Sequence, residues 1–139
     1  HFLPLILLVV MEGWGITREY HYLEKLKTWA EAQSYCRETF TDLATVDNRD
    51  ENNKLLSVLP GHGNFAWIGL HEDLTKWKWA LGNSEFNNIH YSNWKANYPN
   101  NKMLKQICVV MTKSGTWYYF PCCGTFPAVC YYEEYKTVY

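Results

Sequence analysis

Five cysteines, Cys36, Cys108, Cys122, Cys123 and Cys130, carry the most reactive chemistry in this 139-residue chain. None forms Cys-x-x-Cys, so their spacing fits neither a zinc ribbon nor a thioredoxin-type redox pair. Two disulfides and one spare thiol in an oxidising compartment fit better. Cys123 as a nucleophile would need a His base, and nothing in the sequence points to one. His71-Glu72 begins like His-Glu-x-x-His, but Thr75 stands where the second metal ligand belongs. The five histidines, His1, His21, His62, His71 and His90, are scattered, which disfavours a His-based zinc site. Gly61-His62-Gly63-Asn64-Phe65-Ala66 has dinucleotide-fingerprint spacing. It follows a helical pattern and precedes a strand pattern, the reverse of what phosphate binding at a helix start needs, so it reads as a turn. No Gly-x-Ser-x-Gly occurs. The residues therefore argue against an enzyme.

The acidic residues are unevenly spread. Of 14 Asp and Glu, none lies between Glu85 and Glu133. That stretch carries Lys95, Lys102, Lys105 and Lys113, four cations and no anion, a formal +4. The net charge of −1 averages an acidic first half with this segment, and argues against a globally basic nucleic-acid binder. At 47% hydrophobic and 19% charged the chain is not intrinsically disordered. Its length suits one domain. Seven Trp and eleven Tyr imply an aromatic core, a binding surface of stacking groups, or both.

These residues must be positioned by elements the patterning reveals. The apolar run Phe2–Met11 is too short for a bilayer, which needs ~20 residues. It matches the apolar core of a secretory signal that lacks its start, so residues 1–16 are set apart from a domain at 17–139. A buried segment of the domain and a signal-anchor are the other readings. Secretion, with no membrane insertion of the mature domain, is the expectation. Thr28 and Glu31 have capping-box spacing, followed by Trp29, Ala32, Tyr35 and Cys36 on one helical face. Asn48 and Glu51 repeat the spacing before Leu55, Leu56 and Leu59, with Pro60-Gly61 as the stop. Strands are predicted at Phe65–Leu70, Trp77–Trp79, Ile107–Met111, Thr116–Phe120 and Ala128–Tyr132. Gly82–Lys105 is an Asn-rich, aperiodic loop of about two dozen residues, a length at which function is expected. Two helices followed by short strands around a long loop make the class α+β.

Trp29–Cys36, Asp42-Leu43-Ala44-Thr45-Val46, Trp67-Ile68-Gly69-Leu70, and Asn93-Trp94 followed by Tyr98-Pro99-Asn100 occur in that order. Together they resemble the C-type lectin-like domain, particularly the single-domain lectins of fish, over about Tyr20 to Tyr132. The resemblance implies two helices, small antiparallel sheets, a long loop and two disulfides, Cys36–Cys130 and Cys108–Cys122. Cys108–Cys123 is the alternative for the second bridge. The leftover thiol, Cys123 in the first pairing, is read as buried and inert, or else as a link between chains.

The family's sugar-site calcium is held by a Glu-Pro-Asn or Gln-Pro-Asp triplet, a Glu shortly before the next Cys, and Trp-Asn-Asp. Calcium wants 6–8 hard oxygen ligands, several of them carboxylates. On the matching positions this chain has Tyr98-Pro99-Asn100, Gln106 and Trp117-Tyr118-Tyr119. Only neutral oxygens remain, amid lysines, so calcium at this site is expected to be lost and no cofactor is assigned. Asp73 and Glu85 leave accessory calcium sites open. The ligand-binding candidates are Tyr98, Asn100, Lys102, Lys105, Gln106, Tyr118 and Tyr119. Strand alternation puts Tyr118 and Tyr119 on opposite faces, one expected buried and one exposed. The expected partner is a glycan or glycoprotein, including anionic ones, in innate immunity by analogy with the family. A protein ligand is the alternative, and an ice-binding relative a remote one.

Overall fold

Thr28 starts the first helix through the reciprocal bonds that its spacing predicts. Its Oγ1 accepts from the Glu31 amide at 3.2 Å, and Glu31 Oε1 accepts from the Thr28 amide at 2.9 Å. These contacts belong to a computed structural model that describes residues 16–61, 65–73, 76–86, 91–96 and 106–135. The apolar run Phe2–Met11 lies outside the described residues, as do His62-Gly63-Asn64.

Helix α1 (Trp29–Thr39) buries Trp29, Ala32 and Cys36. Tyr35, expected on that face, lies on the exposed side under the Lys27 ammonium, 5.2 Å from its ring centroid. Helix α2 (Arg49–Leu56) is capped by Asn48, whose Oδ1 accepts from the Glu51 amide at 2.8 Å. Glu51 returns its bond to the Asp47 amide rather than to Asn48, so the box is only half closed. The helix ends at Leu56, short of Pro60. Ser57 Oγ donates to the Lys54 carbonyl at 2.6 Å, and Val58 and Leu59 continue as single turns. Leu55 is fully buried on this helix, and so, unexpectedly, is Asn52.

Among the described residues seven strands form one mixed sheet, in the order β1 (Ile16–Lys27), β7 (Phe126–Tyr135), β3 (Phe65–Asp73), β5 (Ile107–Thr112), β6 (Trp117–Pro121). Strand β2 (Asp42–Leu43) adds to β7, and β4 (Lys76–Trp79) forms a hairpin with β3. The small antiparallel units are joined by one parallel pairing, Trp67 opposite Ala128. The patterning assigned nothing between residue 17 and Thr28, where β1 lies. Only Tyr20 in it is fully buried, so its alternation is weak, and it is held by its ladder with β7 from Ile16–Tyr135 to Leu23–Ala128.

Arg18 of β1 ties that strand to α2 and β7. It bonds Asp47, Glu51 and Glu133, each at 2.8 Å. Burial works against its charge, but the Asp47 hydrogen bond and the neighbouring Glu51 and Glu133 outweigh that and raise its pKa further. Lys54 also donates to the Arg18 carbonyl.

The sheet separates two apolar clusters. One holds Trp29, Cys36, Leu43, Trp67, Val110 and Cys130; the other Val46, Leu55, Ile68, Val109, Trp117 and Tyr131. Gly69 is required where β3 crosses the chain after β2. A Cβ there would meet the Leu43 and Ala44 carbonyl oxygens at 2.9 Å. Both implied disulfides are present, Cys36–Cys130 and Cys108–Cys122. Cys123 is a free thiol and exposed, correcting the expectation that it is buried. It follows the end of β6 in a turn.

Candidate functional site

Strand β6 presents the three residues aligned with the expected ligand set, and alternation sends them two ways. Trp117 points into the core and is fully buried. Its ring sits edge-on to Trp79, Tyr91 and Trp94 at 5.9, 6.0 and 5.6 Å between centroids. Burial raises the Tyr91 phenol's pKa against the opposing pull of Arg49. The Trp117 Nε1–H donates to Asn52 Oδ1 at 3.0 Å.

Tyr118 and Tyr119 lie on opposite sides of β6, as alternation requires, but neither is fully buried nor fully exposed. Each ring packs against others on its own side, which corrects the expectation of one buried and one exposed. Tyr118 stands edge-on to Phe65 at 5.6 Å, and the Lys95 ammonium lies 5.6 Å from its ring centroid. Tyr119 faces Trp77 at 6.3 Å, and Trp77 faces Trp94 at 5.1 Å. Trp77, Trp94 and Tyr119 thus make a half-exposed band of rings beside the long loop.

Residues 93–95 of that loop are fixed to β6 by backbone. The Trp117 amide donates to the Asn93 carbonyl at 2.9 Å, and the Lys95 amide to the Trp117 carbonyl at 3.0 Å. Trp94 pairs with Trp117 as an isolated parallel bridge. Gly115, at φ +89°, turns β5 into β6, and its carbonyl accepts from Asn93 Nδ2 at 2.6 Å and from Asn52 Nδ2 at 3.1 Å.

Gln106 is exposed, and lies apart from Tyr119. It precedes β5, three positions along the ladder from the Val109–Tyr119 pair. Its carbonyl accepts from the Cys122 amide at 3.2 Å, and it lines a cleft of about 440 Å³ with Trp29, His71, Glu72 and Cys123. Tyr98, Asn100, Lys102 and Lys105 lie outside the described residues. Among the described residues no three His, Cys, Asp or Glu side chains converge as a metal site. Of the upstream acids, Glu85 is ion-paired to Lys76 at 3.0 Å.

Sequence reasoning did not single out Trp77 or Asn52. The Trp-Lys-Trp alternation marks two rings on one face, and only packing shows that Trp79 is the buried one. Asn52 lies three residues before Leu55, a spacing that places it on the apolar side of α2.

Helix α1 bridged to the last strand, the Gly69 crossing and the loop pinned to β6 form one arrangement, and a family model described as "Lectin C-type domain" matches residues 25–132. The chain belongs to the C-type lectin domain family. Its C-type lectin domain is 34% identical over 120 residues to P-selectin of Rattus norvegicus, covering 83% of this chain and 16% of that protein. It is 33% identical over 117 residues to L-selectin of Mus musculus, covering 81% of this chain and 31% of that protein. The chain therefore spans less than a third of the length of these curated relatives. Human lithostathine superposes with a TM-score of 0.72 at 25% identity, covering 87% of this chain and 98% of that one. Among the described residues no helix is long and apolar enough to cross a membrane.

Proposed function

We propose that this C-type lectin domain is an extracellular binding module, not an enzyme, that recognises glycans without calcium at the loop-side site. The observation that carries this reading is the side-chain chemistry of β6. Where the family's calcium site needs an amide and a carboxylate, Tyr118 and Tyr119 present phenol rings packed against Phe65 and Trp77. Neutral phenols are poor calcium ligands, and no carboxylate lies between Glu85 and Glu133 to compensate. Calcium does not fit this donor set. Aromatic rings offer stacking to the apolar faces of sugars instead, and the band of Trp77, Trp94 and Tyr119 supplies them. The lysines favour anionic partners, sulfated glycans first. Two disulfides and the signal-like run Phe2–Met11 support secretion, in the manner of a single-domain lectin. A role in innate recognition follows from that reading.

The test is a glycan array probed in calcium and again in chelator. Signals on sulfated glycans that persist in chelator are expected. Binding abolished by chelator would sink the calcium-independent reading. No glycan signal in either condition would favour a protein ligand, the second reading, which the same aromatic and basic surface supports. The charge arm is separate: Lys102→Glu with Lys105→Glu should elute earlier from heparin, and unchanged retention would remove the anionic ligand.

A further inference from the structure

Asn52 is 3% exposed, on a helix whose neighbouring buried position is Leu55. A carboxamide in such a place costs free energy unless its oxygen and nitrogen are both bonded. Here both are committed, and neither bond serves the helix. Oδ1 accepts from the Trp117 indole at 3.0 Å, and Nδ2 donates to the Gly115 carbonyl at 3.1 Å. Leucine would fill a similar volume, so packing alone does not call for an amide.

We propose that Asn52 is the positioning residue of the long loop, holding residues 93–95 in register on β6 through Gly115 and Trp117. The Gly115 carbonyl is shared. It accepts from Asn52 of α2 and from Asn93 of the loop, so one turn oxygen fixes both. Gly115 suits that turn, because its φ is +89° and a Cβ would come within 3.1 Å of Asn52 Nδ2. Trp117 is the second link. Asn52 holds its indole, while its backbone carries the Asn93 and Lys95 bonds. In that register Trp94 reaches Trp77, and Lys95 reaches Tyr118. The rest of the sheet pairs without Asn52, so removing the amide frees the loop and leaves the ladder intact. The link to ligand binding rests on the function proposed above; the link to loop order does not.

The experiment is amide hydrogen exchange on the folded protein with Asn52→Leu. The Lys95 and Trp117 amides, which bond across the loop junction, should exchange at least tenfold faster. The Ala44 and Gly69 amides, bonded to Val129 and Ala44 carbonyls in the core, should stay within threefold of their original rates. Equal acceleration of all four, or of none, overturns the proposal and leaves Asn52 a core residue only. Should Asn52→Leu fail to fold, Asn93→Ala removes the loop's own bond to the shared carbonyl and must show the same pattern, or the proposal fails. A heparin hexasaccharide titrated into the same variants reads the functional consequence, an expected loss of fivefold or more in affinity. Absence of hexasaccharide binding by the unmodified chain would count against the glycan reading alone, because the exchange pattern judges Asn52 independently.

Discussion

Cys122 and Cys123 are neighbours with different fates. Cys122 closes the bridge to Cys108, while Cys123 is free and exposed. An uncovered thiol outside any ladder contributes little to stability. Cys123→Ser should change unfolding free energy by no more than about 0.5 kcal/mol. Maleimide labelling of the native chain should find one reactive thiol; none would mean that Cys123 is bonded or covered, and more than one that a bridge is open. Local chemistry was legible at this scale. Thr28 and Glu31 are three residues apart, and their bonds follow from that spacing alone. The surroundings of Tyr118 and Tyr119 were not legible. Alternation gives the side of the strand, but what each ring meets depends on Phe65, Trp77 and Lys95, which are distant in sequence.

At the level of elements, β1 depends on its partner. Tyr20 of β1 and Tyr131 of β7 stack at 5.8 Å, and both phenols converge on Thr45 after β2. Tyr20 donates to its carbonyl at 2.8 Å and Tyr131 to its Oγ1 at 2.9 Å. Burial is the main force raising both phenols' pKa above the ordinary value; Glu51 adds to it at Tyr20, and the Thr45 bond opposes it at Tyr131. The native state therefore favours the protonated phenols. Their contribution is complete below pH about 10, where the unfolded chain is also protonated, and is lost as pH rises from there toward the folded values. Stability should fall by about 1.4 kcal/mol per pH unit for each phenol above pH about 10, read from urea midpoints across an alkaline series. Tyr20→Phe with Tyr131→Phe should flatten that slope, at a cost in stability from the lost bonds. A slope unchanged by the double substitution would place the alkaline sensitivity elsewhere. The sequence missed β1 for a related reason. With one fully buried residue in it, its strand character comes from pairing with β7 rather than from its own pattern.

Across the whole molecule, charge is segregated. Carboxylates on either side of the acid-free stretch are used in the fold, as Arg18 shows by engaging Asp47 and Glu51 of the first half and Glu133 of β7. Between Glu85 and Glu133 the chain has lysines and aromatics but no acid. The ordered motifs were enough to carry the family resemblance, which implied the fold and the two disulfides with Cys108–Cys123 as an open alternative, and each motif meets the sheet at a fixed place: Trp67 opposite Ala128, Gly69 against Leu43 and Ala44. The candidate site was legible only as chemistry, since its surface joins β4, the loop and β6, which no spacing relates. That chemistry sets a thermodynamic test. A ligand that binds only the native state raises its stability by RT ln(1 + [L]/Kd), about 2.7 kcal/mol at a hundredfold excess over Kd. A calcium-filled loop site with micromolar Kd would therefore raise the melting temperature by several degrees in millimolar calcium. The phenols of Tyr118 and Tyr119 and the Lys95 ammonium beside Tyr118 predict no such rise. Melting curves in millimolar calcium and in chelator should coincide within error. A rise that survives Tyr118→Phe with Tyr119→Phe would assign the ion to an accessory site upstream, where Glu85 already spends its charge on Lys76; a rise that those substitutions remove would return calcium to the loop.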